Sequence, residues 1–252
     1  MRDLHMHTTF SDGKNIAEEM IEAAIALGLE TVGISDHSNP ARDGYGIPPE
    51  KFSSYQQELE RLKQVYGGRI RVLCGLERDY YAEEQLSGFD YIIGSVHSVR
   101  APGGQFLCVD WTPEHLKSGV EQYYAGDWYA LAEDYFTLEK DVIRQTNCDI
   151  IGHFDLITKF NEQHHYFDTS HPRYRQAWQS AVDELLKTGK PFEVNTGAIS
   201  RGYRTEPYPS AEIRQYIKAH GGTLILSSDA HAKENIAFQF DRWAAQGLCP
   251  SD

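Results

Sequence analysis

Short runs of β-forming residues alternate with helical stretches along the whole of this 252-residue chain. Such alternation is typical of parallel strands joined by crossover helices. We predict seven strands, at Asp3–His7, Thr31–His37, Ile70–Tyr80, Tyr91–His97, Asp149–Phe154, Pro191–Asn195 and Thr223–Ser228. The sequence therefore predicts an α/β fold with a single domain over residues 1–252, closed as a barrel of seven β/α units. An open doubly wound sheet is the alternative, although no Gly-rich phosphate loop follows any strand.

Apolar residues at helical spacing occupy most of the intervals between these strands. They predict helices over residues 16–28, 50–66, 173–188, 210–220 and 233–246, and a helix-rich segment over 113–145. Two stretches lack this periodicity: a long loop that contains Pro102-Gly103-Gly104, and an irregular segment over 158–172. No internal repeat or linker composition divides the chain, which agrees with one domain.

The composition excludes some classes of partner. The chain has 24 Lys and Arg against 37 Asp and Glu, a formal net charge of −13. Most of such a surface would repel duplex nucleic acid, so we expect no nucleic-acid partner. No signal peptide or membrane span is apparent, and the four cysteines form no C-x-x-C pair. We therefore expect a cytoplasmic protein with reduced thiols and no membrane partner, whose oligomeric state stays open.

Histidines and carboxylates stand at the ends of six of the seven predicted strands. They are His5, His7, His37, Glu77, His97, His153, Asp229 and His231, and Asp12 follows the first strand in a Ser-Asp-Gly turn. The carboxyl ends of parallel barrel strands open onto one face, so we expect these side chains to converge there. Imidazole and carboxylate without thiolate suit Zn²⁺, Mn²⁺ or Fe²⁺, and the set exceeds the roughly four ligands of one tetrahedral ion. The pattern therefore predicts two or three divalent metal ions.

Each of these residues also has a plainer interpretation on its own. His5 and His7 point to one side of a strand, but an H-x-H pair is a weak signal. Asp12 fits an ordinary turn, and Asp36, beside His37, could serve only to orient its neighbour. Glu77 ends an apolar strand, where a buried carboxylate is costly unless it is paired or binds a metal. We favour a metal site because all the plainer interpretations would have to hold together.

The expected ligands point to phosphorus chemistry. Adjacent divalent ions that share a carboxylate and a bridging hydroxide suit in-line displacement, because the hydroxide attacks phosphorus while the ions neutralise the phosphoryl oxygens. Such ions would also create a positive pocket within a negatively charged protein. The residues therefore predict a metal-dependent phosphoesterase that acts on a small phosphorylated substrate.

The order of these motifs resembles the polymerase and histidinol phosphatase (PHP) family over the whole chain. The motifs are His5-x-His7, Ser11-Asp12-Gly13, Ser35-Asp36-His37, Gly75-Leu76-Glu77, Gly94-Ser95-Val96-His97, Gly152-His153-Phe154-Asp155 and Ser228-Asp229-Ala230-His231. The segment from Gly152 to Asn161 and the overall size resemble the L-histidinol-phosphate phosphatase branch of the family. The resemblance implies a distorted (β/α)7 barrel with a trinuclear metal centre, and hydrolysis of L-histidinol phosphate in histidine biosynthesis.

The resemblance also implies roles for individual residues. It assigns the first metal to His5, His7, Glu77 and Asp229, the second to Glu77, His97 and His153, and the third to Asp12, His37 and His231. The expected catalytic residues are Glu77, Asp229 and His231. The proton for the leaving alkoxide would come from Asp229, His231 or a metal-bound water.

Three residues are candidates for contact with the substrate. Arg201 follows the ligand-free sixth strand and suits bidentate binding of phosphate, although it could be a solvated loop charge. Lys159 is a second phosphate candidate, and Asp155 could orient a metal ligand or bind the substrate ammonium. Arg42 and Arg204 are loop cations that could approach the site. Two alternative functions stay open: a nucleotide phosphoesterase or exonuclease of the same family, and a catalytically silent module that binds metal.

Overall fold

The computed structural model describes residues 1–38 and 44–247. The strands in these residues are β1 (Arg2–Asp3), β2 (Thr31–Ile34), β3 (Arg71–Asp79), β4 (Tyr91–Ser95), β5 (Ser98–Arg100), β6 (Phe106–Cys108), β7 (Ile150–Ile151), β8 (Phe192–Asn195) and β9 (Leu224–Ser227). Seven of them form one parallel sheet in the order β1-β2-β3-β4-β7-β8-β9. Each of the seven predicted strands overlaps one of these.

The sheet closes because the residues that follow β1 and β9 meet. Met6 and Ala230 form a parallel bridge, and the backbone N–H of His7 donates to the carbonyl oxygen of Ala230 at 2.9 Å. The N–H of Ala230 in turn donates to the carbonyl oxygen of His5 at 3.2 Å. The seven strands therefore form a nearly closed barrel, which confirms the predicted (β/α)7 architecture and excludes the open doubly wound sheet.

The loop expected around Pro102-Gly103-Gly104 contains a hairpin that the sequence did not predict. β5 and β6 pair in antiparallel register with Val99 opposite Leu107, and both side chains are buried. Gly104 turns the chain with a φ of +87°, a conformation that favours glycine. Each strand has only three residues, which is too short for alternation to appear in the sequence.

The longer helices lie within two residues of their predicted positions. The helices are α1 (Ala17–Ala26), α2 (Phe52–Tyr66), α3 (Pro113–Tyr123), α4 (Trp128–Thr146), α5 (Asn161–His164), α6 (Pro172–Leu186), α7 (Gly197–Ser200), α8 (Ala211–Ala219) and α9 (Phe240–Ala244). The closing helix predicted over 233–246 is wrong in its first part, because Ala237 and Gln239 take left-handed φ values of 52° and 57°. Among the helices in residues 1–38 and 44–247, none could span a bilayer.

Tyr91 fills the concave side of the sheet below the strand ends. Its hydroxyl donates to the carbonyl oxygen of Leu4 at 2.5 Å, so the side chain reaches from β4 to the end of β1, which is not its neighbour. Gly33 and Gly75 leave room for the ring, because a Cβ atom would lie 2.1 Å from Tyr91 at the first position and 2.2 Å at the second. Packing of this kind fills the barrel interior and leaves its carboxyl-terminal end for polar side chains.

Candidate metal centre

Glu77, on β3, lies at the centre of a polar cluster at the carboxyl ends of the strands. Its carboxylate is surrounded by five imidazoles with N–O distances of 2.8–3.6 Å, those of His5, His7, His37, His97 and His153. The side chain of Glu77 is 0% exposed. The parallel strands therefore bring imidazoles from four separate parts of the sequence to one carboxylate.

Two further carboxylates complete the cluster. Asp229 Oδ1 lies 3.1 Å from His7 Nε2 and 3.5 Å from His231 Nδ1. Asp229 follows β9 with a positive φ of 49°, an uncommon conformation for a residue other than glycine. Asp12 lies on the outer side, 3.3 Å from His231 Nε2 and 3.7 Å from His37 Nε2. The structure therefore brings all the predicted metal ligands into one site.

Potential ligand atoms fall into three overlapping groups, each with its atoms within 4.8 Å of one another. The groups are His7, Asp12, His37 and His231; His5, His7 and Asp229; and His37, Glu77 and His97. They overlap with the three ligand sets that the family resemblance implies, but His7 and His37 each belong to two groups. His153 is outside these groups, although its Nε2 lies 2.8 Å from Glu77 Oε1.

The site combines deep burial with opposite charges. Burial alone would raise the pKa of Glu77, but His37, His5 and His97 hold it well below its ordinary value. Burial alone would lower the pKa of His5, but Glu193, Glu77 and Asp229 raise it well above its ordinary value. For His7, burial and the neighbouring His231 and His37 lower the pKa well below the ordinary value. Attraction between opposite charges therefore outweighs the penalty of burial at Glu77 and His5, whereas the surroundings of His7 favour its neutral form.

Some nitrogen and oxygen atoms of the cluster that could bind a metal ion are buried and make no hydrogen bond. They are His5 Nε2, His7 Nδ1, Glu77 Oε2 and His153 Nδ1. A buried polar atom without a partner is costly, and a bound cation would satisfy lone pairs of this kind. The donors are imidazole nitrogens and carboxylate oxygens, which suit Zn²⁺, Mn²⁺ or Fe²⁺. The residues present therefore fit a site for divalent metal ions.

A cavity of about 510 Å³ opens above the cluster. Its floor includes Asp12, His37, His97, His153, Asp229 and His231, and its outer walls include Tyr45, Cys108, Asp110, Trp111, Leu156, Lys159, Arg201 and Tyr203. The floor is made of imidazoles and carboxylates, whereas the walls combine three aromatic rings, those of Tyr45, Trp111 and Tyr203, with apolar and charged side chains. This arrangement fits a ligand with one charged end and one less polar end.

Arg201 and Lys159 bring positive charge to this cavity. Arg201 Nη2 donates to Asp229 Oδ2 at 2.9 Å, and Nη1 donates to the carbonyl oxygen of Asp229 at 2.9 Å. The guanidinium has five N–H donors, so it has donors beyond these two bonds. Lys159 Nζ donates to the carbonyl oxygen of Asp110 at 2.7 Å and lies 3.2 Å from its Oδ2. Both predicted phosphate candidates therefore line the cavity.

Asp155 occupies a different place from the one expected of a substrate ligand. It is 0% exposed, accepts a hydrogen bond from the N–H of Ser210 at 2.9 Å, and lies 3.8 Å from Arg204 Nη1. Neither Asp155 nor Arg204 lines the cavity above the cluster. The placement of Asp155 therefore contradicts its predicted contact with the substrate, because the side chain is buried in a separate ion pair. Arg42 lies outside the described residues.

The sequence did not identify several residues that support the cluster. Glu193 Oε1 lies 2.7 Å from His5 Nδ1, and Asp79 Oδ2 lies 3.2 Å from His97 Nδ1. Asp36, which we expected to orient His37, accepts hydrogen bonds from Thr8 and Ser11, so it fixes the turn before Asp12. Glu193 and Asp79 both lie on buried strands, where a carboxylate is unusual. This was the one feature of the sequence that could have identified them as partners of the cluster.

A family model described as the PHP domain matches residues 3–197. The chain belongs to the PHP domain family. A "Probable histidinol-phosphatase" from Deinococcus radiodurans is 30% identical over 94% of this chain and 89% of that protein. The "DNA polymerase/3'-5' exonuclease PolX" of Bacillus subtilis is 34% identical over 93% of this chain, which corresponds to 35% of that larger protein.

Solved structures share the fold of this PHP chain. A Listeria monocytogenes chain that carries the name hisK has a TM-score of 0.84 at 20% identity, with 96% of this chain and 100% of that chain covered. The histidinol phosphate phosphatase of Lactococcus lactis, solved with Zn, L-histidinol and phosphate, has a TM-score of 0.68 at 21% identity, with 98% and 91% covered. At these identities the likeness establishes the barrel fold.

Proposed function

We propose that this PHP protein is a metal-dependent phosphomonoesterase that hydrolyses L-histidinol phosphate to L-histidinol and phosphate. The observation that carries the proposal is a buried cluster of imidazoles and carboxylates beneath a cavity that Arg201 also lines. The names of the relatives and the ligands of the Lactococcus lactis structure support this substrate. We further propose that the chain acts as one domain over residues 1–252, in the cytoplasm, in histidine biosynthesis.

The proposed ligands divide as the family resemblance implies. His5, His7, Glu77 and Asp229 would hold one ion, Glu77, His97 and His153 a second, and Asp12, His37 and His231 a third. When bound, two or three Zn²⁺, Mn²⁺ or Fe²⁺ ions would neutralise phosphoryl oxygens and lower the pKa of a bound water that attacks phosphorus. Glu77 supports this assignment best, because its two carboxylate oxygens face different imidazoles.

The side chains of the cavity have separate roles in the proposed reaction. Arg201 would bind the phosphate through its remaining N–H donors while it holds Asp229 in place. Lys159 would add a second positive charge to the phosphate end. His231 lines the cavity and could carry the proton that the leaving alkoxide takes. Burial alone would raise the pKa of Asp229, but Arg201 and His5 hold it well below its ordinary value, which suits a ligand better than a proton donor. We do not propose Asp155 for substrate contact.

A panel of phosphate esters tests the substrate assignment. The purified protein, supplied with Mn²⁺ or Zn²⁺, should release phosphate from L-histidinol phosphate far faster than from phosphoserine, p-nitrophenyl phosphate or a nucleoside monophosphate. Comparable rates on all four esters would refute the substrate while leaving the phosphatase chemistry in place. The variant His220→Ala is a suitable control and should keep the rates of the wild type, because this histidine is exposed at the end of α8 and contacts Tyr216.

A second candidate function is a nucleotide phosphoesterase or exonuclease. The identity of 34% to PolX favours it, because this value exceeds that for the Deinococcus radiodurans relative. Against it, a groove that binds a nucleic-acid strand needs an extended track of basic side chains. Among the described residues that line the cavity, one lysine, Lys159, and one arginine, Arg201, are present. Release of nucleotides from single-stranded DNA at a rate above that on L-histidinol phosphate would establish this alternative.

A further inference from the structure

The strand β8 carries a carboxylate into the metal centre, although no predicted metal ligand lies on it. Glu193 is 1% exposed, and its Oε1 lies 2.7 Å from His5 Nδ1. Its Oε2 accepts hydrogen bonds from the backbone N–H of His153 at 3.0 Å and from Asn195 Nδ2 at 3.2 Å. The carboxylate of Glu193 thus links the side chain of His5, which follows β1, to the backbone of His153, which follows β7.

The contact with Glu193 determines which nitrogen of His5 carries a proton. A carboxylate accepts hydrogen bonds and does not donate them, so Nδ1 of His5 is the donor in this pair. The other nitrogen, Nε2, faces the cluster, 3.2 Å from Glu77 Oε2 and 3.8 Å from Asp229 Oδ1, and it makes no hydrogen bond. In a neutral ring with Nδ1 protonated, Nε2 keeps the lone pair that a metal ion needs.

A similar arrangement recurs on the opposite side of the cluster. His97 Nδ1 lies 3.2 Å from Asp79 Oδ2, and its Nε2 lies 3.4 Å from Glu77 Oε1. In both pairs an outer carboxylate faces Nδ1 while Nε2 points toward Glu77. Glu193 differs in that it also accepts the N–H of His153, so it acts on two of the proposed ligand positions.

We propose that Glu193 is a positioning residue of the metal centre. It holds His5 as the tautomer that presents Nε2 to the metal, and it fixes the backbone from which the side chain of His153 projects. This inference rests on the metal site of the proposed function, but it does not depend on the identity of the substrate. Its loss should weaken metal binding about 10- to 100-fold, the usual effect of removing an outer partner of a ligand.

The variant Glu193→Gln tests the proposal through metal affinity, measured without substrate. His5 and His153 face different oxygens of Glu193, and a glutamine replaces one of these oxygens with an NH₂ group, so it cannot accept at both positions. Chelator competition should show the Kd raised 10- to 100-fold for at least one bound Zn²⁺, with the far-UV circular dichroism of the metal-free protein unchanged. The control Glu139→Gln changes another fully buried glutamate, which contacts Tyr135, and it should leave the Kd unchanged. An unaltered Kd in a folded Glu193→Gln variant would overturn the proposal.

Imidazole ¹⁵N spectra of the Zn²⁺-loaded wild-type protein provide a test that needs no folded variant. A proton on Nδ1 of His5 is the expected result, and a proton on Nε2 would contradict the proposed role of Glu193. A wild-type protein that binds Zn²⁺ tightly but does not hydrolyse L-histidinol phosphate would refute the proposed function instead. The two failures are therefore distinguishable.

Discussion

Two glutamates, Glu77 and Glu139, have the same burial and opposite surroundings. Both are at most 1% exposed. Glu77 lies among imidazoles at the strand ends, whereas Glu139, on α4, accepts one hydrogen bond from the hydroxyl of Tyr135 at 2.8 Å. Burial raises the pKa of Glu139 well above its ordinary value, but the imidazoles hold the pKa of Glu77 well below it. Burial of a carboxylate therefore does not by itself mark a functional site; the bases around it do.

Substitution of Glu77 should have the largest effect. Glu77→Gln removes the charge at the centre of five imidazoles, and metal-assisted stabilisation of the transition state is worth several kcal/mol. We expect turnover of L-histidinol phosphate to fall by at least about 10³-fold, measured by phosphate release. The same substitution at Glu139 should leave turnover within about twofold of the wild type. Equal losses in the two variants would remove the distinction between the two environments.

Arg201 should have the next largest effect, because it compensates the charge of the second buried carboxylate, Asp229. A charge-assisted hydrogen bond contributes about 1.5–3 kcal/mol, so Arg201→Ala should lower kcat/KM about 10- to 100-fold. Arg201→Lys should recover only part of the loss, since lysine lacks the bidentate geometry. Inhibition by inorganic phosphate should weaken in parallel, and undiminished phosphate inhibition would show that Arg201 does not bind the phosphate.

Trp111 should have a smaller effect that depends on the substrate. Its side chain lines the outer wall of the cavity and is 69% exposed. An aromatic contact is worth about 0.5–1.5 kcal/mol, so Trp111→Ala should raise the KM for L-histidinol phosphate about 2- to 10-fold with little change in kcat. The KM for phosphoserine, which has no ring, should stay the same. Phe106→Ala, on the strand β6 that precedes Trp111 but outside the cavity lining, is the matched control.

Substitution of Glu139 should affect the pH dependence of stability, with no effect on the metal centre. Because the folded-state pKa is raised, the folded protein holds the proton more tightly, and stability is lost as pH rises above the ordinary value of 4.5. Glu139→Gln does not titrate, so its free energy of unfolding relative to the wild type should increase between pH 5 and pH 8. Urea unfolding at the two pH values measures this difference. A constant difference would indicate an ordinary pKa for Glu139.

The sequence predicted the barrel and all the proposed ligands because both depend on local patterns. His5-x-His7 and Gly152-His153 are visible as apolar runs that end in an imidazole, and parallel topology then brings such ends together. Trp111 and Asp110 were not predicted as parts of the cavity wall, since their position depends on a hairpin of very short strands. Glu193 and Asp79 were missed because their partners, His5 and His97, are distant in sequence. Asp155 was misplaced because its neighbour His153 suggested a shared site, whereas the chain turns the two side chains into different surroundings.

Metal titration of phosphate release tests the central claim most directly. The protein is treated with chelator, and its turnover of L-histidinol phosphate is measured as Zn²⁺ or Mn²⁺ is added in known equivalents per chain. We predict no turnover without metal, and a rise that saturates at two to three equivalents. Full turnover of the metal-free protein, or saturation at a single equivalent, would contradict the proposed multinuclear centre around Glu77.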